Sequence, residues 1–426
     1  HKGSFLIGAR QSYIGVLLGA IAKNNDSFNL TVAPKYSDAT ALYEKPLTDR
    51  DDFKITAFGS QDSLQFLLKE PVKQDPALRG DFETATSFFR IIPQLTHRHS
   101  ERTLSKWSFG VGRDWLKVKT PDNSFRIRTI QLTTRAELEA QPFVQWKTYG
   151  GIDHQFSWAD VDINLPSFFT SGGVSNPLSV GTRRKTTIFD RDSVLGFYWR
   201  NEIRPYDEPS ETSGLTLMPN LRLDRFASTS EWLVAPRPAI RYQFDESLTT
   251  RLSGGLYYQP PAPGENDSVF GNPDIKAPRA WHANLGLDKD FRGGTNNGWT
   301  ISGDAFYKRI ERRIIPSAGF VTRNGQITTE NYNNNGSGHV YGLQSQIKLS
   351  LNPWSLSAIY TLSRSRRSEP GRADFPSPYD QTHLLGLLGA VQLPKNWSIS
   401  ARFRYSTGNP STPITSGVFD ADNDVY

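Results

Sequence analysis

The side chains of this sequence that could carry chemistry are mainly basic. Four of them lie close together in the second half of the chain, at Arg364, Arg366, Arg367 and Arg372. A guanidinium group is planar and carries several N–H donors, so it can bind two oxygens of a phosphate or carboxylate at once. The cluster therefore indicates either a solvated charged surface or a contact with phosphate groups.

Patterns for metal binding and catalysis are weaker. His97 and His99 lie in what the sequence predicts to be a short turn, and no other pair of ligands is spaced to complete a metal site with them. Asp420, Asp422 and Asp424 resemble the start of a calcium loop, but the glycine and the distal glutamate of such a loop are missing. No nucleophile, base and orienting group lie together. We expect no enzyme activity, no metal and no cofactor.

Strands with a period of two must position these side chains. The last strand shows the pattern: one face carries Trp397, Ile399, Ala401, Phe403 and Tyr405, and the other carries Ser398, Ser400, Arg402 and Arg404. Such alternation predicts a β-strand with one apolar face. About 17 strands are predicted, at residues 5–10, 30–45, 53–69, 82–96, 104–119, 125–139, 143–165, 187–204, 215–226, 232–244, 248–259, 281–291, 299–315, 339–351, 354–364, 381–393 and 397–405.

The connections between these strands alternate in length. Short ones lie at 48–52, 97–103, 140–142, 245–246, 292–298, 352–353 and 394–396, and long ones at 11–29, 70–81, 166–186, 260–280, 316–338 and 365–380. Long strands with this alternation are typical of an outer-membrane β-barrel, whose short turns face the periplasm. The strand count is odd and both outer strands run in the same direction, so we expect segments outside residues 1–426 to close the barrel.

Composition excludes other classes of protein. The 426 residues contain 37% hydrophobic residues and no apolar run long enough for a transmembrane helix. A membrane barrel remains compatible with this value because half of each strand faces water. Cysteine is absent, so no disulfide stabilises the fold. The net charge of +6 is modest for this length, and we expect no nucleic-acid partner.

Short motifs, in their order along the chain, resemble those of TonB-dependent outer-membrane receptors. They are GSFL at 3–6, ARQSY at 9–13, FGNPDI at 270–275, NNNGSG at 333–338 with YGLQ at 341–344, YTLS at 360–363, DQTH at 380–383 and TGNP at 407–410. In the YGLQ segment the family commonly has an acidic residue where this chain has Gln344. The resemblance covers most of the chain.

The resemblance implies an all-β fold, a large antiparallel transmembrane β-barrel of about 22 strands. Residues 1–426 would form part of it, and the plug domain and the closing strands are expected to lie outside this sequence. Such receptors bind a scarce ligand at extracellular loops and import it with energy from the inner membrane. We expect the same function here, in the outer membrane of a Gram-negative cell.

The expected partners also follow from the resemblance. They are outer-membrane lipid and lipopolysaccharide, a TonB-type energy-coupling protein that acts through the absent plug, and a surface lipoprotein or another envelope protein. The alternation of side chains predicts lumen-facing basic residues at Arg126, Arg128, Lys348, Arg402 and Arg404, which would pair with plug carboxylates or with neighbouring Asp and Glu residues.

Two further sets of residues receive positions on the expected barrel. Arg364, Arg366, Arg367 and Arg372 would form an extracellular basic rim that meets solvent or lipopolysaccharide phosphates. Aromatic residues of the membrane interface, at the ends of strands next to short turns, are Trp107, Trp281, Trp299, Trp354 and Trp397. The sequence does not indicate which residues bind the ligand.

Two alternative functions stay open at this point. The first is a plugless pore or a structural barrel in an envelope complex. The second is a soluble all-β binding protein, for example for carbohydrate, which would be extracted without detergent.

Overall fold

The structure of the protein is a computed structural model. It describes residues 2–14, 30–68, 80–120, 124–166, 183–205, 214–262, 264–268 and 271–411. Most of the predicted long connections at 11–29, 70–81 and 166–186 lie outside these residues, and so do Asp420, Asp422 and Asp424. No helix in the described part of the chain is long and apolar enough to cross a membrane.

Antiparallel strands make up nearly all of the described residues. They are β1 (Ser4–Gln11), β2 (Leu30–Pro46), β3 (Asp51–Leu68), β4 (Gly80–Ser100), β5 (Thr103–Lys119), β6 (Ser124–Phe143), β7 (Trp146–Pro166), β8 (Arg183–Ile203), β9 (Gly214–Met218), β10 (Leu221–Phe226), β11 (Glu231–Pro236), β12 (Ala239–Gln243), β13 (Leu248–Tyr258), β14 (Arg279–Asp290), β15 (Gly298–Arg323), β16 (Gln326–Leu351), β17 (Trp354–Glu369), β18 (Arg372–Pro376), β19 (His383–Leu393) and β20 (Trp397–Ser406). A 3-10 turn, Pro394–Asn396, joins the last two strands. The predicted all-β framework is confirmed.

The chain forms two compact units. The first comprises His1–Glu139, Gly151–Gly196 and Ile414–Tyr426, and the second comprises Ala140–Gly150 and Phe197–Pro413. In the first unit β1 to β5 pair in sequence order, each with the next. In the second, β9 pairs with β12, β10 with β11, and β12 to β17 follow in order before β19 and β20.

Two predicted strands of the second unit are each interrupted by a proline. The predicted strand 215–226 is divided into β9 and β10 around Pro219, and 232–244 is divided into β11 and β12 around Pro238. Proline has no amide donor for a strand ladder. The two interruptions face each other, since the Arg237 amide donates to the Asn220 carbonyl at 2.8 Å. Together with β18, they account for the difference between the predicted and the observed number of strands among the described residues.

Two of the predicted long loops are wrong. Residues 316–338 continue β15 and β16 as a long hairpin, which ends in a two-residue turn at Asn324 and Gly325. Both turn residues have positive φ, 50° and 78°, as the tight turn that matches strand twist requires. Residues 365–380 likewise contain the end of β17 and all of β18. The predicted loop at 260–280 is confirmed for its described residues, none of which lies in a strand before β14 begins at Arg279.

Two of the predicted short turns are displaced. His97 and His99 lie in β4, where His97 is paired with Ser105 of β5, and the turn follows at residues 101–102. The turn expected at 140–142 lies at 144–145, where Gln141 Nε2 donates to the Val144 carbonyl at 3.1 Å. The short turns near 245, 295, 352 and 395 lie where the sequence predicts them.

Asp245 holds the turn between β12 and β13. Its carboxylate accepts hydrogen bonds from the Ser247 hydroxyl at 2.6 Å, the Ser247 amide at 2.7 Å and the Leu248 amide at 2.9 Å. These donors favour the charged form and hold the pKa of Asp245 below its ordinary value of 3.8. The side chain thus replaces backbone partners that the tight turn cannot supply.

Asp245→Ala is expected to lower the free energy of unfolding at neutral pH and to have less effect in acid. Because the folded-state pKa lies below the unfolded value, the charged carboxylate stabilises the fold above about pH 4, and this contribution is lost as the pH falls through the folded-state pKa. Denaturant unfolding in detergent between pH 7 and pH 2 measures the effect. Glu246→Ala, in the same turn, is the control. An effect of Asp245→Ala that does not change with pH would contradict this account.

Candidate functional site

The second unit presents an extended apolar surface to its surroundings. Along β14 to β17, one face of each strand carries exposed large side chains, among them Leu285, Leu287, Ile301, Leu343 and Leu356. The side chains between them are mostly polar, and we call the two sides the apolar face and the polar face. A soluble protein rarely exposes a contiguous apolar surface of this extent. Lipid is the environment that such a face requires.

Aromatic side chains border this apolar face at both ends of the strands. Near the short turns lie Phe291, Trp299, Trp354 and Trp397, with the three tryptophans 48%, 52% and 69% exposed. Near the long connections lie Trp281, Tyr307, Tyr341 and Tyr405. Trp299 and Tyr307 share one face of β15 and lie about 26 Å apart along the strand, at roughly 3.3 Å per residue. This spacing matches the apolar band of a membrane barrel with its two aromatic girdles.

Trp281 lies at the opposite end from the one expected. It is the third residue of β14 and follows the loop after β13, and it pairs with Leu256 and Arg309. The expectation assumed a short turn beside each of the five tryptophans, whereas the connection before Trp281 is the long one. Trp281 therefore belongs to the girdle near the long connections.

In the first unit, Trp107 lies near the short turn between β4 and β5, as expected. It is exposed, pairs with Leu95, and donates from its indole nitrogen to Ser105 Oγ at 3.2 Å. His99 Nε2 contacts the same hydroxyl at 3.0 Å, and His97 Nδ1 lies 2.7 Å from Asp51 Oδ1. The two histidines therefore tie neighbouring strands together. In the described part of the chain, no group of three or more side chains could hold a metal ion.

The predicted lumen-facing basic residues fall into two groups. Lys348, Arg402 and Arg404 lie on the polar sides of β16 and β20 by strand alternation, and that these sides face a lumen stays a prediction. Arg126 and Arg128 share a side of β6 with the exposed residues Ile130 and Leu138, which is the apolar side, so the structure does not place them with the others. The reason is that the apolar residues of β6 change sides along the strand. Arg128 contacts Asp162 at 3.3 Å and Asp160 at 3.5 Å, and Arg126 contacts Asp162 at 3.8 Å.

The arginine cluster at the end of β17 is divided between the two sides of the strand. Arg364 pairs across the sheet with Tyr341, and Arg366 pairs with His339, so both lie on the side that carries the aromatic girdle near the long connections. Arg367 points to the polar side, where burial is the main cause that lowers its pKa and the nearby Arg313 adds to the effect. Arg372 lies in β18, 3.9 Å from Glu369.

A small buried core lies at the long-connection end of the second unit. Its apolar members, all buried, are Phe226, Leu233, Ala235, Leu256, Ile275, Ala277 and Ile315. Ile275 and Ala277 belong to loop 259–278, which joins β13 to β14. This connection is therefore packed against the strands beside it, and its surface has a defined shape.

Polar side chains fasten loop 259–278 to the extension of the β15–β16 hairpin, residues 316–332, which we call the arm. Asn272 is buried; it donates to the Tyr332 carbonyl at 2.6 Å and accepts from Arg323 at 2.5 Å and from the Asp274 amide at 3.0 Å. Arg323 also contacts Asp274 at 3.2 Å. These contacts satisfy polar groups that would otherwise be buried without partners.

A second set of contacts lies at the base of the arm. Asn334 accepts from the Lys276 amide at 2.8 Å and donates to the carbonyls of Lys276 and Arg312, both at 2.9 Å. Arg313 contacts Glu369 of β17 at 2.7 Å. The described part of the first motif, residues 271–275, thus meets the segment 333–338, which is far away in the sequence. Loop 259–278, the arm and the end of β17 form a platform that could hold a ligand, which we call the loop platform.

The first unit contains a polar cavity of about 560 Å³ at the short-turn end of its strands. Its lining includes Glu44, Lys54, Gln94, Lys106, Arg135 and Glu137. Lys54 contacts Glu44 at 3.1 Å, and Lys106 lies 3.7 Å from Glu139. A surface that carries both positive and negative side chains could contact a folded domain of complementary charge.

A strand-only chain with an exposed apolar band, two aromatic girdles and a polar opposite face defines a transmembrane β-barrel protein of the outer-membrane type. The family model described as "TonB dependent receptor-like, beta-barrel" matches residues 7–424. The chain belongs to this family, which confirms the resemblance seen in its motifs. The family is one of receptors and transporters, and its barrels lie in the outer membrane of Gram-negative cells.

Solved structures show the same fold at low sequence identity. The outer membrane transporter YddB from Escherichia coli is 12% identical with a TM-score of 0.61, and the match covers 91% of this chain and 61% of that one. The ferripyoverdine receptor of Pseudomonas aeruginosa is 12% identical with a TM-score of 0.64 and coverages of 89% and 58%. The ferric-catecholate import receptor Fiu from E. coli K12 is 10% identical with a TM-score of 0.62 and coverages of 94% and 66%.

The chain thus spans about 60% of the length of these structures. No curated protein matches its sequence. The predicted fold class, a large antiparallel barrel of the outer-membrane type, is confirmed. The prediction that residues 1–426 form a partial barrel, with plug and closing strands elsewhere, stays a prediction.

Proposed function

We propose that this chain is the barrel of an outer-membrane receptor that captures a ligand at its long-connection end and imports it with energy from a TonB-type protein. The loop platform carries the proposal. Loop 259–278 is held by the buried Asn272, the half-buried Asn334 and an apolar core, although a connection of this kind is usually exposed and variable. A preformed surface binds a ligand at a lower entropic cost than a loop that must first become ordered.

Three further features support the proposal. The neighbouring structures include receptors for ferripyoverdine and for ferric catecholates, which import metal chelates. The charged residues around the cavity of the first unit would contact a plug domain at the periplasmic end. The apolar band would place the platform on the cell surface, because the short turns of such barrels face the periplasm.

Import is tested by comparing cells that carry the full-length receptor with cells that lack its gene, in normal and TonB-deficient backgrounds. Mass spectrometry of depleted medium would identify molecules that only receptor-bearing cells remove. We expect removal that depends on both the receptor and TonB. Removal without TonB would support a plugless pore, and recovery of the protein without detergent would support a soluble binding protein. Either result would overturn the proposal.

We also propose that Arg364 and Arg366 contact lipopolysaccharide phosphates. Both lie on the side of the aromatic girdle, Arg364 level with Tyr341 and Arg366 beside His339, and a guanidinium group binds phosphate oxygens strongly. Arg364→Gln combined with Arg366→Gln is expected to lower the affinity for purified lipopolysaccharide roughly tenfold, since exposed ion pairs contribute about 0.2–1 kcal/mol each and about 1.4 kcal/mol corresponds to a factor of ten. Arg367→Gln, on the opposite side of the same strand, is the matched control. Equal binding by both variants would contradict the contact.

A further inference from the structure

A row of cationic and aromatic side chains crosses the polar face of the second unit. Arg237, in the interruption between β11 and β12, lies over the ring of Tyr257 at 4.5 Å. Tyr257 stacks on His282 of β14 with ring centroids 4.3 Å apart. His282 is paired across the ladder with Lys308 of β15. Four neighbouring segments thus contribute one side chain each to a continuous row.

Gly255 of β13 makes room for this row. A Cβ atom at this position would meet the Pro236 carbonyl at 3.0 Å and the Cα and Cγ atoms of Arg237 at 3.2 Å. These distances are tighter than ordinary van der Waals contact. The glycine therefore allows Arg237 to lie across β13 and reach Tyr257.

The acidic residues around the row already have other partners. Asp224 contacts Arg222 at 2.7 Å, Asp304 contacts Arg251 at 3.5 Å, and Glu311 contacts Arg279 at 2.8 Å. Within the described residues, Arg237 and Lys308 form no hydrogen bond or ion pair with a carboxylate. Arg237 Nε is also buried without a hydrogen-bond partner.

We infer that Arg237, His282 and Lys308 form a binding site for an oxyanion, a carboxylate or a phosphate. Burying part of a cation without a counter-charge costs free energy of solvation. A bound oxyanion would offset that cost and would supply the hydrogen-bond acceptor that Arg237 lacks. The guanidinium fork and the ammonium group would hold its oxygens, and the Tyr257 ring fixes the planes of Arg237 and His282. Arg251, on the same face, instead has two carboxylates beside it, those of Asp288 and Asp304.

The oxyanion can come from two sources. One source is the transported molecule, in which case this inference rests on the proposed import function. The other source is a carboxylate of the receptor's own chain. Binding of a free anion does not require import, so a failed uptake experiment would leave this inference standing. Conversely, failure of the binding experiment would not affect the proposed function.

The test uses the full-length receptor in detergent, with citrate as the probe at constant ionic strength. Calorimetric titration and thermal unfolding are measured for the wild type and for the double variant His282→Gln with Lys308→Gln. Arg402→Gln removes a cation from the polar side of β20 and serves as the control. Lys308→Gln alone provides a milder variant if the double variant does not fold.

A free-anion site predicts that citrate binds and stabilises the wild type and the control. The double variant should then bind citrate at least tenfold more weakly, which corresponds to about 1.4 kcal/mol. If the receptor's own carboxylate occupies the site, citrate has no effect, and the double variant unfolds at a lower temperature than the control. The inference is overturned if citrate acts equally on all three proteins, or if neither citrate nor the double variant changes anything.

Discussion

Leu285→Arg is expected to lower the free energy of unfolding from a lipid bilayer by about 2–4 kcal/mol. Leu285 lies on the apolar face of β14, between Trp281 and Phe291, and its side chain is 55% exposed. If the apolar face meets lipid, this position is near the middle of the bilayer, where a guanidinium group has neither water nor a counter-charge. Urea unfolding of the full-length receptor from lipid vesicles measures the difference.

Asn284→Arg is the matched control for this substitution. Asn284 is the adjacent residue, points to the polar face, and donates to Asp304 at 3.3 Å. An arginine there would have water and a carboxylate beside it, so we expect a change of less than about 1 kcal/mol, as for exposed ion pairs. If the protein were soluble, we would expect the reverse order of the two effects on the free energy of unfolding, because the exposed position 285 would then lie in water, which solvates a charge. Equal effects of the two substitutions would therefore contradict the membrane assignment.

The strand framework was predictable because membrane strands carry two strong local signals. Period-two alternation, as in Trp397 to Tyr405, fixes which side faces lipid, and turn residues such as Asp245 or the Asn352–Pro353 pair fix where a strand ends. The arm was missed because Pro316, Gly319 and a run of asparagines are typical of loops. The Asn324–Gly325 pair, a strong hairpin signal, was available in the sequence and identifies the turn correctly.

The loop platform could not be predicted to the same degree. The motifs FGNPDI and NNNGSG were visible in the sequence, but nothing local shows that Asn334 reaches Lys276 or that Arg323 reaches Asn272. These contacts depend on the packing of Ile275 and Ala277 against strands that lie far away in the chain. Strand alternation does not assign a side to Arg126 and Arg128, because the apolar residues of β6 change sides along the strand. Nor does it show that these arginines contact Asp160 and Asp162, which lie on another strand.

The oxyanion row illustrates the same limit. Arg237, Tyr257, His282 and Lys308 are separated by about 20 to 26 residues each, and no motif connects them. Only the register of β13, β14 and β15 brings them into one line. In a sheet of this kind, chemistry that crosses the strands is therefore less visible in the sequence than chemistry along one strand.

Asn272→Ala is expected to open loop 259–278 locally, with little change in global stability. The substitution leaves the Tyr332 carbonyl and the Asp274 amide without this partner and removes one of the acceptors of Arg323. Leaving buried polar groups unsatisfied costs about 1–3 kcal/mol. The Ile275 amide, which donates to the Asn272 carbonyl at 3.2 Å, should then exchange with solvent roughly 5- to 150-fold faster, as those energies imply. Hydrogen exchange with mass spectrometry of the loop peptide measures this rate.

Asn266→Ala is the matched control, since Asn266 lies in the same loop and, among the described residues, its side chain donates one hydrogen bond, to the Ser228 carbonyl at 3.1 Å. If the loop platform binds the ligand in its closed form, affinity falls in proportion to the closed fraction that remains. Faster exchange with unchanged uptake would remove the loop from the binding site while leaving the barrel assignment intact. Unchanged exchange in Asn272→Ala would mean that the apolar core around Ile275, and not the asparagine contacts, holds the loop closed.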